Sequence, residues 1–392
     1  MSQTIYFDNA ATTQLDKQVL ETMLPYLTDN YGNPSSQYSV GRTARIAIET
    51  ARKKVAQLLN VKINTIYFTS GGSESNNTAI VAAVRDLGCT HIITSAIEHH
   101  AVLHAVESVS SERKIGLSQV DLDEHGEVNY SSLEDLLQWK SGMGYRCFVS
   151  LMHANNETGT LLDISRVGQL CKKYNAIFHS DCVQTVGHFP LDLMESQVHF
   201  ISGAAHKFHG PKGTGILYVR EDISIKPLIH GGGQERNLRA GTENVAGIVG
   251  FAKALEMAMQ GFEKDRAHIE ELRNYMKQKF MACIPGVSFL TPEISLYTIL
   301  SVCFPRSDKS QSLILELDMA GICVSGGSAC SSSDESGSHV VRALQKNNTC
   351  TTIRFSFCKY NTRQEVDAVL DAIQSILALD PSVASINGKA WN

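Results

Sequence analysis

Between Asn64 and about Tyr218 the chain alternates short β-rich runs with stretches of helical spacing. The runs NTIYFTS, THIITSAIE, RCFVSLMHA, AIFHSD and ILYV are separated by segments such as Asn76–Leu87 and Ile164–Tyr174. This alternation predicts an α/β body, a mostly parallel sheet flanked by helices, and such sheets bind ligands at the carboxyl ends of their strands. Farther on, Phe262, Ile269, Leu272, Met276 and Phe280 recur at helical spacing and predict a helix leading into a second unit, with the division near residue 255. There the pattern predicts a strand at 297–304, a helix ending near Gly321, a strand at 353–357 and a last helix, together a smaller α+β domain. Thr362 and Glu365 make a capping box for that helix, with Val366, Val369, Leu370, Ile373, Ile376 and Leu377 as its apolar face. The tail after Asp380 reads as a loose end.

Composition narrows the class. A chain of 392 residues has room for two or three domains and a sizeable core. Lys plus Arg number 35 against 40 for Asp plus Glu, with no polybasic arm or long acidic run, which argues against nucleic acid or a membrane surface as a partner. At 19% charged and 43% hydrophobic residues, disorder and fibrous classes fall away. The N-terminus lacks the basic and apolar regions of a secretory signal. The most apolar helical stretch, 248–262, is interrupted by Lys253 and Glu256 and is too short for a bilayer. Ten cysteines without a C-x-x-C pair suit reduced, mostly buried thiols in a cytoplasmic enzyme better than a disulfide framework or zinc ribbon.

Three sets of residues carry candidate chemistry. After the NTIYFTS strand, Ser70-Gly71-Gly72-Ser73 opens a helical run, which reads either as a phosphate cradle at a helix start or as a glycine turn with a serine N-cap. Asp181 ends an apolar strand, with Gln184 shortly after, and a carboxylate there needs a partner. Lys207 follows two alanines between His206 and His209; it is either a solvated loop lysine or an amine made nucleophilic by enclosure. Anion anchor, partner for a pyridinium nitrogen and Schiff-base amine, in this order at strand ends, are the parts of a pyridoxal phosphate site. His99, His100 and His104 could stack on a cofactor ring, bind metal or be ordinary histidines. Cys330, in SGGSACSSSDESGS, is either a reactive thiol on a movable arm or an incidental cysteine in a linker.

The chain resembles the pyridoxal-phosphate-dependent cysteine desulfurases of the NifS/IscS type, in the class V branch of fold-type I aminotransferase-like enzymes. The resemblance spans nearly the whole chain through YFDNAATT, NYGNPSS, TSGGSESNN, EHHAV, MHANNETG, HSDCVQTVG, AHKFHGPKG, GGGQERNLRAGTEN, SGGSAC and IRFSF. It implies a large cofactor-binding domain of residues 14–255, and a small domain of 1–13 and 256–392 that carries the catalytic cysteine loop. It further implies that Lys207 holds the cofactor and moves the α-proton, that Asp181 pairs with the ring nitrogen, and that Gln184 bonds the ring hydroxyl. His99 would stack on the ring, while Ser73 and His206 would hold the phosphate, joined by Thr242 from the second subunit of a homodimer. Asn156 and Arg354 would bind the carboxylate of L-cysteine. Cys330 would take the sulfur as a persulfide and pass it to an acceptor such as an iron–sulfur scaffold, leaving L-alanine.

Departures from the family pattern bear on cofactor retention and partner choice. Ala204 stands where the family has serine, Ser73 where threonine is common, and Cys358-Lys359 where Gly-Arg is usual; the Glu-Pro pair after Cys330 is absent. Competing readings are a related pyridoxal phosphate lyase acting on selenocysteine, cystine or cysteine sulfinate, a metal hydrolase using His99, His100, His104, His206 and His209, and a non-catalytic sulfur carrier. A carrier has no need of Lys207 and the phosphate loop.

Overall fold

A computed structural model describes residues 4–326, 338–344 and 350–378. Cys330 and the tail after Asp380 lie outside the described residues. The larger sheet has seven strands in the order Ile66–Thr69, Gly215–Val219, Phe200–Ala204, Ile177–Asp181, Cys147–Ser150, His91–Thr94 and Gly116–Gln119. Six run the same way, and Gly215–Val219 is antiparallel to both neighbours. The central strands are buried along their whole length, as strands in a sheet covered on both faces are, and their buried polar residues Ser150, His179 and Ser202 bond one another. The edge strand Gly116–Gln119 alternates half-buried and exposed positions, so it has no apolar run to mark it.

The two apolar stretches at 248–262 and 262–280 belong to one helix, Val245–Cys283, of 39 residues. Ile248, Phe251 and Leu255 pack into the core beneath the large sheet. Phe262, Ile269, Leu272, Met276 and Phe280 pack into a second core. The helix therefore crosses from one unit to the other, as a rod about 58 Å long.

The second core lies under the antiparallel sheet Cys350–Ser356, Ile299–Pro305 and Ser288–Phe289, against the helices Asp308–Met319 and Arg363–Leu377. Thr362 and Glu365 make the reciprocal capping bonds that their spacing predicts. The chain's start joins this unit, for Ile5–Tyr6 pairs in parallel with Ile322–Cys323, and Phe7 meets Phe355 and Phe357 edge-on at 6.5 and 5.1 Å. From there the backbone of Asp8–Thr13 passes over the carboxyl end of the large sheet.

The cysteines depart from the expectation of ten reduced thiols. Cys303 and Cys350, on adjacent strands with Cα atoms 5.5 Å apart, form a disulfide. They are 47 residues apart in sequence, and only strand pairing brings them together. No described helix is long and apolar enough to cross a membrane.

Candidate active site

Strand ends, a helix start and the N-terminal segment converge on one pocket at the carboxyl edge of the large sheet. Lys207 ends a short 3-10 turn directly after the strand Phe200–Ala204. Its Nζ donates to the carbonyls of Ala10 at 2.6 Å and Ala11 at 2.9 Å, and its own carbonyl accepts from His188 Nε2 at 3.0 Å. The amine is held inside the pocket by backbone dipoles, so the solvated-loop reading of Lys207 does not hold. Asp181 ends the neighbouring strand and is 6% exposed; its carboxylate accepts from Asn76 Nδ2 at 2.7 Å and from the Val183 amide at 2.9 Å. Gln184 donates to the Ala10 carbonyl at 3.0 Å.

The helix Gly72–Arg85 opens beside them. Its N-cap is Gly71, with no side-chain cap, while Ser73 sits exposed in the first turn. The alternative of a serine N-cap is therefore excluded, and the uncapped turn suits an anion. A Cβ at Gly72 would meet Val183 Cγ2 at 2.5 Å, so the close approach of the helix start to the Asp181 loop requires glycine there. His206 lines the same end, its Nδ1 3.2 Å from the Thr12 hydroxyl. Burial first, then Lys207, pushes its imidazole down to about 4, so it is neutral at pH 7.

Ala204 is fully enclosed at this end. Ser202 shares its strand face but is 3.2 Å from His179 Nε2, whose Nδ1 is 2.9 Å from Ser150. Ser202 is thus engaged beneath the sheet and does not replace a hydroxyl at 204. Ala204→Ser is expected to add a bond to the phosphate worth about 1.5–3 kcal/mol, slowing cofactor loss on dialysis roughly ten- to a hundredfold. Loss at the parental rate or faster would show that no phosphate oxygen faces this position.

His99 caps the helix His100–Arg113, its Nδ1 accepting from the Ala101 amide at 3.1 Å, which leaves the proton on Nε2 in the neutral ring. Burial lowers its pKa, against the pull of Asp181. His100 stacks on His104 at 4.9 Å and meets His339 at 4.4 Å. Among the described residues no three His, Cys, Asp or Glu side chains come together as metal ligands, and His209 instead bonds the Gln14 carbonyl. The five histidines of the metal-hydrolase reading form no common donor set.

Arg354, on the strand Cys350–Ser356, reaches the pocket from the second unit. Nη1 donates to the Asn156 carbonyl and Nη2 to Asp8, both at 2.7 Å. Its backbone amide bonds Ser325 at 2.7 Å, shortly before the segment that contains Cys330. Beyond that segment, the Ser338 hydroxyl bonds the Glu157 carboxylate and His339 Nε2 donates to the Glu98 carbonyl at 2.9 Å. Both flanks of the Cys330 segment are therefore tied to the pocket wall. Thr242 is exposed and does not line this pocket.

Asn76, Asp8 and Glu98 lie in the segments TSGGSESNN, YFDNAATT and EHHAV, where the sequence assigns them no role beyond that of polar residues beside strand ends. Glu98 is buried, accepts from Met152 N at 2.8 Å and Ser95 Oγ at 3.1 Å, and its Oε2 has no partner among the described residues. Burial pushes its carboxyl up to about 8 from 4.5. A carboxyl raised in the folded state contributes stability that is complete below the unfolded value and is lost as pH rises through the folded one, at up to about 1.4 kcal/mol per pH unit. Glu98→Gln should therefore melt higher than the parent at pH 8, with the advantage shrinking towards pH 5. A difference that does not change with pH would mean Glu98 is ionised throughout.

A lysine and a carboxylate on adjacent strand ends, facing an uncapped helix start across a mostly parallel sheet, define an aminotransferase-like enzyme built around pyridoxal phosphate. The chain belongs to the family described as Aminotransferase class-V, which matches residues 5–369. It is 42% identical to "Cysteine desulfurase IscS" of Dictyoglomus turgidum over 96% of this chain and 95% of that one. To "Cysteine desulfurase IscS" of Methanosarcina thermophila it is 41% identical, over 100% of this chain and 96% of that one. Among solved structures, "NIFS-LIKE PROTEIN" superposes with a TM-score of 0.87 at 40% identity, covering 96% of this chain and all of that one. "SspA in complex with cysteine" superposes at 0.79 with 31% identity, covering 92% and 100%.

Proposed function

We propose that this protein is a pyridoxal-phosphate-dependent cysteine desulfurase, which converts L-cysteine to L-alanine and passes the sulfur through a persulfide on Cys330. The observation that carries this reading is the single pocket shared by Lys207, Asp181, the uncapped helix start and Arg354. These groups fit the cofactor: an amine, a held carboxylate for the ring nitrogen, and an anion seat at Gly72 and Ser73 with His206. When bound, pyridoxal phosphate supplies an electron sink for the pair released at the substrate α-carbon.

The chain's residues divide the remaining work. Arg354 and Asn156 bind the substrate carboxylate, which orients the α-proton and the thiol. Asp181, fixed by Asn76 and Val183, would hold the ring nitrogen and keep it protonated, Gln184 would hold the ring hydroxyl, and the neutral His99 imidazole would hold the ring itself. The Lys207 amine takes the α-proton and later returns protons to the carbon skeleton. The Cys330 thiolate forms a bond to the substrate sulfur as the carbon–sulfur bond breaks; the bonding pair stays with the carbon, which is protonated and leaves as L-alanine.

In the same reading residues 14–255 form the cofactor domain, and 1–13 with 256–392 the small domain with the cysteine loop. The protein works as a homodimer in which the exposed Thr242 reaches the partner's phosphate site. It acts in the cytoplasm and passes the sulfur to an acceptor protein such as an iron–sulfur scaffold. The test is to add L-cysteine to purified holoenzyme and measure alanine, persulfide and free sulfide together. Alanine matched by protein-bound persulfide is expected, and free sulfide without persulfide would indicate a lyase of the selenocysteine or cystine type.

A further inference from the structure

The Arg354 side chain is 2% exposed, and the carboxylate of Asp8 already shares its charge. Nη2 bonds Asp8 Oδ1 at 2.7 Å, Nη1 is taken by the Asn156 carbonyl, and Nε has no partner among the described residues. Asp8 is itself built in. Its carbonyl accepts from Ala11 N at 3.0 Å, and the preceding Phe7 is stitched by its amide to Cys323 and by its carbonyl to Ser356. The Asp8 side chain is only 18% exposed, so its negative charge acts on the guanidinium across a poorly screened path.

Taking Arg354 as the anchor of the substrate carboxylate, we propose that Asp8 is its positioning residue and counter-charge. The bond to Nη2 holds the plane of the guanidinium, and the carboxylate must share the cation with any incoming amino acid. A neutral acceptor at position 8 would keep the orientation but remove the competition. Carboxylate ligands, product as well as substrate, would then bind more tightly. The Asp8–Arg354 pair thus tunes amino-acid affinity downward, so that L-alanine is released.

The experiment titrates holoenzyme with L-alanine and, as a probe without a carboxylate, with ethylamine, following the cofactor absorbance and binding heat. Asp8→Asn should bind L-alanine about three- to tenfold more tightly, with ethylamine affinity unchanged. A merely structural role would move both ligands together. Asp8→Ser, also neutral with an acceptor, serves where the asparagine variant does not fold. Equal or weaker L-alanine binding in these variants overturns the proposal, as does an equal shift for ethylamine. Arg354→Gln separates the two layers of argument. If it weakens L-alanine while Asp8→Asn changes nothing, only the role of Asp8 falls; if it leaves L-alanine affinity intact, the carboxylate anchor itself is wrong.

Discussion

Lys207→Ala is expected to yield folded protein that carries no borohydride-fixed pyridoxal phosphate and whose turnover of L-cysteine is lower by at least about 10³-fold, since nucleophile and proton carrier vanish together. The structure singles out this lysine because its Nζ lies in the pocket with Asp181 and is drawn inward by the Ala10 and Ala11 carbonyls. Those two carbonyls also locate the cost of the change. They come from the N-terminal segment, which Gln184 and the Thr13–His206 backbone bond still hold in place, so a large fall in melting temperature is not expected. Peptide mapping after borohydride reduction decides the matter. A reduced adduct found on another lysine in the parent, or one that persists in the variant, would remove Lys207 from its role.

Much of this geometry can be read from the chain because short β-rich runs alternate with helical spacing, as a doubly covered sheet requires. IFHSD and FISGA each end where the backbone emerges, so Asp181 and Lys207 fall at strand ends by counting alone. Gly116–Gln119 escapes that logic, since a half-exposed edge strand containing only Leu117 as a bulky apolar residue has no run to show. The helix Gly72–Arg85 begins four residues before the expected Asn76, because its first turn starts at glycine, which propensity disfavours and close approach to Val183 demands. Long-range partners were beyond reach for a different reason. Asn76 meets Asp181 across 105 residues and Asp8 meets Arg354 across 346, and local spacing cannot report either pairing. The Cys303–Cys350 disulfide belongs to the same group.

Cys330→Ser should separate binding from sulfur transfer. The variant is expected to keep the absorbance change on adding L-cysteine, to show no persulfide by intact-mass spectrometry, and to form alanine at least about a hundredfold more slowly, since a serine hydroxyl is not ionised at neutral pH. Sulfur capture requires a thiolate. The other cysteines are poorly suited to supply one: burial pushes the Cys89 and Cys182 thiols up to about 12 and Cys358 to about 11, and Cys147, Cys171 and Cys323 are raised as well. Cys283 is buried, and Cys303 and Cys350 are joined to each other. Cys182 is the informative control, because it follows Asp181 in the chain yet is fully enclosed in the core with a raised thiol. Cys182→Ala should leave persulfide formation intact. Persulfide retained in Cys330→Ser but lost in Cys182→Ala would transfer the role to Cys182, and full turnover in both variants would point to elimination of sulfide without a protein thiol.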